Sequence, residues 1–430
     1  PNWVRNSYKY PINDSDFSNK LLAFTKNYTF SSYLISNKNN KDKYKKHHLI
    51  VALGAKHILK SDQDSFQKLS DFHIQHKDWI FGFLSYDLKN EIENLSSDNR
   101  DDFQVPNLLF YVPEIILIIK DNIVEVHSFL LENEVEDLLN NIRKENVISS
   151  NKSNINLQFR EEKLEYLQKI KDIKNHIQQG DIYEMNYCQE LFAENASINP
   201  IEVFSDLNTR SKAPFSVFFN FDNHYLLCSS PERFLKKEGN KLISQPIKGT
   251  RKRGVNEEED ILLVSELENS EKDKSENVMI TDLVRNDLSK TAQKASVTVE
   301  ELFKVYTFER VHQMISTITS QLDEKYNFVD VLESSFPMGS MTGAPKLKSM
   351  QLIEKYETTK RSIFSAAFGY ITPSSDFDFN VVIRSILYND ISKYISVMVG
   401  GAITINSDEH QEYEECLIKA KAMRDVLNND

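Results

Sequence analysis

Residues 363–405 read IFSAAFGYITPSSDFDFNVVIRSILYNDISKYISVMVGGAITI and contain three strand-like hydrophobic runs in succession. The runs are Ile363 to Ile371, Phe377 to Tyr388 and Tyr394 to Ile405, and no helical pattern separates them. Strands that follow one another without an intervening helix are typical of antiparallel sheets. This stretch therefore predicts consecutive strands of an antiparallel sheet.

Strands and helices rarely alternate in the rest of the sequence as well. Strand-like runs also occur in the first 130 residues and again from Ile182 to Ser229. A last helical pattern covers Glu409 to Leu427. The sequence thus predicts an α+β fold with large, stacked, mainly antiparallel β-sheets flanked by helices.

Two regions are expected along the chain, at residues 1–145 and 160–427. The segment 146–159 between them is rich in Asn and Ser and has little periodicity, which is typical of a linker. In the first region, the Lys- and Asn-rich stretch 37–48 is interpreted as a solvated surface loop.

Charge and composition exclude several classes of protein. Lys and Arg number 52 against 64 Asp and Glu, so the net charge is 52 − 64 = −12, which argues against a nucleic-acid or anionic-membrane partner. No apolar run approaches the roughly 18 residues that span a bilayer, and no signal-peptide pattern opens the sequence. The three cysteines are far apart and fit a reducing compartment. A cytoplasmic location is expected.

The last helix carries the first candidate site. Glu412, Glu415 and Lys419 share one helical face, because they lie at positions i, i+3 and i+7. Two carboxylates on one face suit a hard cation such as Mg²⁺, and the lysine suits an anion beside it. A solvated acidic face is the alternative. Glu276, on another predicted helix, is a further candidate with the same alternative.

A second candidate is Lys248 in the stretch QPIKGTRKRG, residues 245–254. Arg251 and Arg253 lie nearby, so a cationic pocket at a strand end is expected. Positive neighbours and burial both favour the neutral amine, which is a nucleophile. A basic surface turn is the alternative.

Two glycine-containing segments could bring backbone close to a ligand. The loop MGSMTGAPK, residues 338–346, leads into a predicted helix, so its amides and Thr342 could bind a carboxylate at the helix N-terminus. The Gly400-Gly401-Ala402 segment either permits close approach of a ligand or forms a bulge.

Seven motifs in a fixed order resemble the chorismate-utilising family, which includes the anthranilate, aminodeoxychorismate, isochorismate and salicylate synthases. The resemblance covers residues 160–425. The motifs are Ser230-Pro-Glu-Arg, Pro246-Ile-Lys-Gly-Thr, Ser275-Glu-Asn with Asp282-Leu-Val-Arg-Asn-Asp, Gly343-Ala-Pro-Lys, Ile383-Arg-Ser, Val399-Gly-Gly and Glu412-x-x-Glu-x-x-x-Lys419.

The resemblance implies stacked sheets around a chorismate site, with Mg²⁺ between the protein and the ring carboxylate. The residues that match the magnesium ligands and their supporting carboxylate are Glu276, Glu415 and Glu412. Those that match positions holding the two substrate carboxylates are Gly249, Thr250, Arg384, Gly400, Gly401, Ala402 and Lys419. His312 matches a histidine near the ring, and a neutral core histidine is the alternative.

Two positions distinguish the branches of the family. The isochorismate-forming branch has a water-activating lysine where this chain has Glu184. The anthranilate synthases have alanine where this chain has Lys248, as the aminodeoxychorismate synthases do. The resemblance therefore implies the branch that aminates chorismate at carbon 4 through a covalent lysine adduct.

The implied mechanism assigns three roles. Glu232 protonates the departing 4-hydroxyl, Lys248 attacks carbon 2, and ammonia then adds at carbon 4 and expels Lys248. The expected product is 4-amino-4-deoxychorismate, on the route to 4-aminobenzoate and folate. No glutaminase motif is visible in the sequence, so a separate glutamine amidotransferase subunit is expected to supply ammonia.

Two other functions are considered. One is an anthranilate synthase large subunit, and the other is a non-catalytic regulatory or interaction subunit on the same fold. The chain also departs from the family at Phe364, where a tyrosine is usual, and at Ala402, where a third glycine is common. We expect these two departures to change affinity for the substrate.

Overall fold

A computed structural model describes residues 4–430 of the chain. Within this range the β-strands are β1 (Asn6–Pro11), β2 (Phe30–Ile35), β3 (Leu49–Ser61), β4 (Ile80–Leu84), β5 (Leu108–Lys120), β6 (Ile123–Ser128), β7 (Gln158–Phe159), β8 (Glu184–Ala193), β9 (Phe215–Phe221), β10 (His224–Ser230), β11 (Arg233–Glu238), β12 (Lys241–Gln245), β13 (Ile247–Lys252), β14 (Thr298–Thr307), β15 (Val311–Gln321), β16 (Gly343–Ala344), β17 (Ala367–Ile371), β18 (Phe377–Asn380), β19 (Ser385–Asn389) and β20 (Tyr394–Ile403). The α-helices are α1 (Phe17–Phe24), α2 (Ser65–His76), α3 (Lys89–Ile92), α4 (Glu132–Arg143), α5 (Lys163–Gln178), α6 (Pro200–Ser211), α7 (Glu257–Glu268), α8 (Glu271–Ser289), α9 (Phe328–Ser335), α10 (Lys346–Tyr356) and α11 (Glu409–Asn428).

All the strand pairs in this range are antiparallel, and β5 is the branch point of the hydrogen-bonded network. One series of neighbours runs from β5 through β3, β2, β9, β10, β19 and β20 to β8. The other runs through β4, β17, β18, β11 and β12 to β15, which also pairs with β13 and β14. The predicted α+β fold with antiparallel sheets and flanking helices is confirmed.

The two predicted sequence regions contribute strands to the same network. Tyr33 of β2 pairs with Phe218 of β9, and Phe83 of β4 pairs with Phe368 of β17. The segment between the regions is anchored as well, because the Asn151 side chain donates to the carbonyl of Val426 at 2.6 Å. The division at 146–159 therefore does not separate two independent sheets.

The core follows from the hydrophobic runs of these strands. One buried cluster combines side chains from β4, β5 and β17 with others from β2, β9 and β10. Rings of Phe83, Phe219 and Phe368 are in contact in this cluster, with centroids of Phe219 and Phe368 4.7 Å apart. Burial of such aromatic surface is a large stabilising contribution and holds the two series of strands against each other.

The loop 37–48 differs from its interpretation as solvated surface. Asp42 is nearly buried and accepts hydrogen bonds from Arg233 at 3.1 and 2.9 Å. The buried Lys236 ammonium donates to the carbonyl of Tyr44 at 2.7 Å. The interpretation was wrong for these residues, because buried cations of the sheet need acceptors and this loop supplies them.

No α-helix in the described part of the chain is both long and apolar enough to cross a membrane.

Candidate functional site

The residues of the candidate site come from the last strands of the two series and from α8 and α11, which pack against β13 and β20, respectively. β20 pairs with β8 throughout residues 395–403, but it pairs with β19 only at residues 394–396. Among the described strands no other neighbour covers Gly400 to Ala402, so that edge of the backbone is unpaired. Its amides are available to a bound carboxylate, as the resemblance implies.

Gly401 provides space for the side chains of α11. A Cβ atom at this position would lie 3.3 Å from Glu412 Oε2, 3.4 Å from Lys419 Nζ and 3.9 Å from Glu415 Oε2. The Lys419 ammonium also donates to the Gly400 carbonyl at 2.8 Å. The polar face of α11 is thus directed at β20, and the alternative of a solvated face does not hold for Glu412, which is 4% exposed.

Three carboxylates in this region repel one another. Burial, and then the charge of Glu415, raise the pKa of Glu412 to about 7. Burial also raises the pKa of Glu276, with a smaller contribution from Glu415. Lys272 lies 3.9 Å from Glu415, and both of these side chains are about half exposed. Such a cluster is stabilised by a bound cation.

Within residues 4–430, no group of three or more His, Cys, Asp or Glu side chains is arranged as a complete metal site. The chemistry of the donors nevertheless fits Mg²⁺, which binds one or two carboxylates and takes its other ligands from water and substrate. The observation that supports the fit is the mutual repulsion of Glu276, Glu412 and Glu415.

Two cations beside these carboxylates are suited to an anionic ligand. Arg384 lies at a left-handed backbone position with φ of 52°, and its side chain has no hydrogen bond or ion pair in the described structure. Burial lowers the pKa of the Arg384 guanidinium. Burial, and then the charge of Arg384, lower the pKa of Lys419. Two partly buried cations that repel each other favour a ligand with two negative charges.

The surroundings of Lys248 differ from the cationic pocket that the sequence predicts. Arg251 is paired with Glu266 and Asp273, and Arg253 is paired with Asp260. Those carboxylates come from α7 and α8, which the sequence alone does not place against β13. The half-buried Lys248 instead interacts electrostatically with three other carboxylates; these are Glu184, Glu232 and Glu276.

Glu232 is another buried carboxyl group beside Lys248. Its side chain faces the Ser340 hydroxyl, and it lines a small cavity together with Pro246 and Gly339. Burial raises the pKa of Glu232 to about 7, although Ser340 and Lys248 oppose the shift. A carboxyl group with this pKa carries a proton in a large fraction of molecules near neutral pH and can act as an acid.

The remaining predicted ligand-binding residues range from exposed to fully buried. Gly249 has φ of +105°, and a Cβ atom there would lie 2.9 Å from Leu267 Cδ1, so only glycine fits. Thr250 is exposed. Thr342 is fully buried, and its hydroxyl donates to the Met338 carbonyl at 3.1 Å. That hydroxyl stabilises its own loop, and a bound substrate could reach it only if the loop opened.

His312 is held by protein groups at both ring nitrogens. Its Nδ1 lies 2.8 Å from the Thr307 hydroxyl and its Nε2 lies 2.9 Å from Asp260 Oδ1. The side chain is 1% exposed. The structure therefore favours the alternative of a core histidine that links β15 to α7, and the proposed role beside the ring stays a prediction.

Sequence reasoning gave no role to three residues of the site. Glu184 was noted only as the replacement of a lysine, although it faces Lys248. Ser340 lies inside the quoted 338–346 loop, and Lys272 lies just before Glu276. Both lie within or beside recognised motifs, but only the packing of α8 and the loop brings them to the site.

The arrangement therefore combines charged groups of both signs with two reactive groups. Arg384 and Lys419 are suited to a dianion, and the carboxylates of α8 and α11 are suited to a cation. A primary amine, Lys248, interacts electrostatically with Glu276 and Lys419 and with a carboxylic acid, Glu232. Such a pair can protonate a leaving group while the amine attacks the same molecule.

Comparisons with known proteins give the class. The sequence profile of the chorismate binding enzymes matches residues 20–425. The fold resembles that of anthranilate synthase component I from Streptococcus pneumoniae, with a TM-score of 0.78 and 23% identity over 87% of this chain and 91% of that one. The chain belongs to the chorismate binding enzyme family, as the motifs predict.

Curated relatives refine the comparison. Aminodeoxychorismate synthase component 1 of Escherichia coli is 33% identical over 79% of this chain and 74% of its own length. Anthranilate synthase component 1 of Aquifex aeolicus is 31% identical over 81% and 74%, respectively. The probable chloroplastic aminodeoxychorismate synthase of rice is 32% identical over 83% of this chain, which spans only 44% of the rice protein.

Proposed function

We propose that this chain converts chorismate and ammonia into 4-amino-4-deoxychorismate. The observation that carries the proposal is the position of Lys248 among Glu184, Glu232 and Glu276 within the site. Relatives named aminodeoxychorismate synthase support it. The product would serve 4-aminobenzoate and folate synthesis.

Substrate binding in this proposal depends on local cations, because the protein as a whole carries a charge of −12. Arg384 and Lys419 hold the two carboxylates of chorismate, and the unpaired backbone at Gly400 to Ala402 donates amides to one of them. Glu276 and Glu415, with Glu412 behind them, would hold Mg²⁺. When bound, the ion would supply positive charge against the ring carboxylate.

The chemical step balances with these side chains. The neutral Lys248 amine forms a bond to carbon 2 while both ring double bonds shift by one position and the bond from carbon 4 to its hydroxyl breaks. Glu232 gives its proton to that hydroxyl, which leaves as water. Ammonia then forms a bond to carbon 4, both double bonds shift back, and the bond between carbon 2 and the Lys248 nitrogen breaks to release the amine.

Ammonia would come from a glutamine amidotransferase subunit. The proposal is supported by the designation "component 1" of relatives, which implies a second component. The same relatives include an anthranilate synthase component 1 at similar identity, and this is the second candidate function. Lys248 favours amination at carbon 4, because an amine at this place can form the adduct that the alternative reaction does not use.

The test is to incubate the chain with chorismate, Mg²⁺ and an ammonium salt and to measure the masses of small molecules and protein. We expect 4-amino-4-deoxychorismate, and we expect a Lys248 adduct when ammonia is omitted. Lys248→Ala should show no adduct, with a rate lower by on the order of 10³-fold or more. The matched control is Lys252→Ala, an exposed lysine of the same strand, which should behave as wild type.

Anthranilate as the product of the wild-type protein would replace the proposal with the second candidate. Consumption of chorismate at the wild-type rate by Lys248→Ala, with the same 4-amino product, would remove the nucleophile from the mechanism.

A further inference from the structure

Glu184 is a buried carboxylate without a hydrogen-bonding partner. It is 0% exposed, and neither of its two side-chain oxygens has a partner in the described structure. An unsatisfied buried carboxylate is costly, and the great majority of buried polar atoms in folded proteins are paired. Hydrogen bonding within the protein therefore does not explain why a carboxylate is buried at position 184.

The backbone of Glu184 is held tightly in place. Glu184 pairs with Ala344 of β16, and the Glu184 carbonyl accepts a hydrogen bond from the Ser349 hydroxyl at 3.2 Å. A Cβ atom at Gly343 would lie 2.3 Å from the same carbonyl, so the two segments are in close contact. The side chain cannot leave the site by a shift of the strand.

Two charged groups act on the Glu184 carboxylate. Lys248, from β13, attracts it, and Glu276, from α8, repels it. Burial is the main reason that the pKa of Glu184 is raised to about 6. Lys248 is thus the one cation that acts on this carboxylate among the described residues.

Glu190 gives a matched contrast in the same strand. It lies six residues further along β8, on the same face, and is also buried at 3% exposure. Its carboxylate accepts hydrogen bonds from Arg160, Tyr394 and Ser396 at 3.1, 2.8 and 2.7 Å. The strand can therefore satisfy a buried carboxylate fully, and it does not do so at Glu184.

We propose that Glu184 is the proton partner of Lys248: its free oxygens accept a proton from the Lys248 ammonium before the amine attacks the substrate. This inference rests on the proposed function. Because Glu184 acts through Lys248, it is a positioning residue and does not itself need to touch chorismate.

The proton balance of this step is complete. One proton moves from the Lys248 ammonium to Glu184, which leaves a neutral amine and a neutral carboxylic acid. Attack on carbon 2 gives a secondary ammonium, and the later addition of ammonia at carbon 4 releases the neutral Lys248 amine. Glu184 then returns its proton to that amine, while the product keeps the proton on its new ammonium group.

The choice of residue at position 184 also bears on specificity. A lysine there, as in the isochorismate-forming branch, would place a second ammonium beside Lys248 and would have no carboxylate to accept its proton. A glutamine would fill the same volume but could not accept the proton. A glutamate at position 184 gives the Lys248 ammonium a neighbouring group that can accept its proton.

The experiment compares Glu184→Gln with Glu190→Gln in the full chain. Adduct formation is followed by intact-protein mass in single turnovers with chorismate and Mg²⁺ and without ammonia. In Glu184→Gln we expect it to slow by about 100-fold, with a pH profile shifted to higher pH and an unchanged KM for chorismate. Glu190→Gln should lower thermal stability but keep the wild-type pH profile of adduct formation.

Two further variants separate proton acceptance from packing. Glu184→Asp keeps a carboxylate, so adduct formation should be faster in this variant than in Glu184→Gln. If the role of Glu184 were merely structural, Glu184→Asp would have no such advantage over Glu184→Gln. In the Lys248→Ala background, Glu184→Gln should cause no additional loss of the residual activity. Thermal unfolding should show that Glu184→Gln is at least as stable as wild type, because it removes an unpaired buried charge.

Wild-type adduct rate and pH profile in Glu184→Gln would overturn the inference while leaving the proposed function intact. An additional loss in the Lys248→Ala background would also overturn it. If the wild-type protein itself forms neither adduct nor 4-amino product, the proposed function fails, and this inference fails with it.

Discussion

Glu232 and Arg233 are adjacent in the sequence, yet their charged side chains have very different partners. Arg233 is 2% exposed and donates hydrogen bonds to Asp42, Asp378 and Gln245 at 2.7 to 3.2 Å. Glu232 lies between β10 and β11, is 4% exposed and interacts electrostatically with Lys248.

Arg233 belongs to a network that stabilises the fold, whereas Glu232 belongs to the candidate site. Around Arg233 each charge is matched by another within the protein, so the network joins the 37–48 loop to β11 and β18. In the candidate site the charged groups are not matched in this way: the Glu184 carboxylate has no hydrogen bond, and the Arg384 side chain has no acidic partner within the described residues. Buried polar groups left unpaired by the fold are those expected to meet a ligand.

The largest effect is expected from Glu232→Gln. The variant keeps the shape of the side chain but cannot donate a proton, so turnover of chorismate should fall by about 10²- to 10⁴-fold. Stopped assays of chorismate consumption, with thermal unfolding measured in parallel, would check this. Turnover within a factor of three of wild type would show that another group protonates the leaving hydroxyl.

Arg233→Met should lower stability where Glu232→Gln lowers activity. Removing the cation leaves Asp42 and Asp378 buried without their partner, which typically costs about 3–5 kcal/mol in the free energy of unfolding. Denaturant unfolding would measure it. The matched control is Arg285→Met, whose pair with Asp282 is about half exposed and should contribute within about 0.5 kcal/mol. Equal losses in the two variants would contradict the contrast.

The dependence of stability on pH should differ between the wild type and Glu232→Gln. The pKa of Glu232 is raised from 4.5 to about 7, so the folded state binds its proton more tightly than the unfolded chain does. The stability from this group is complete below about pH 4.5 and is lost as pH rises through about 7. Between about pH 5 and pH 8.5 the wild type should therefore lose about 2–3 kcal/mol that Glu232→Gln retains.

In activity, the same proton must be present for Glu232 to act as an acid. The kcat/KM for chorismate should fall as pH rises above about 7, and Glu232→Gln should lack that alkaline decline. Parallel alkaline declines in the two proteins would assign the titration to a different group.

The smallest effect is expected at Gly401. In Gly401→Ala the new methyl group would meet Glu412 Oε2 at 3.3 Å and Lys419 Nζ at 3.4 Å, so these side chains must shift slightly. We expect KM for chorismate to rise about tenfold, or about 1.4 kcal/mol. Gly239→Ala, in a hairpin turn with nothing within 4 Å of the new Cβ, should leave KM unchanged. A change of KM in both variants would point to a general loss of folding.

Much of the fold was predictable, because it depends on local hydrophobic patterns. The β5 strand, the α9 helix and the start of α11 agree with the runs visible in the sequence. The loop 37–48 was misinterpreted for the converse reason: the partner of Asp42 is Arg233, 191 residues away, and no local pattern reports it.

In the candidate site, too, local patterns in the sequence did not report contacts between distant residues. Glu412, Glu415 and Lys419 share a helical face by spacing alone, and the structure directs that face at β20. The arginines beside Lys248 were expected to surround it with positive charge, yet α7 and α8 supply acids to both of them. His312 could be singled out by its motif, but its partners Thr307 and Asp260 could not.

The amino-acid sequence by itself determined the family, the order of the motifs and the amine at position 248, since these depend only on residue identity and spacing along the chain. The tertiary structure alone decided which charges neutralise one another and which stay unpaired. Electrostatic pairing depends on distance and burial, and antiparallel pairing brings together segments such as Glu184 and Lys248 that are far apart in the chain.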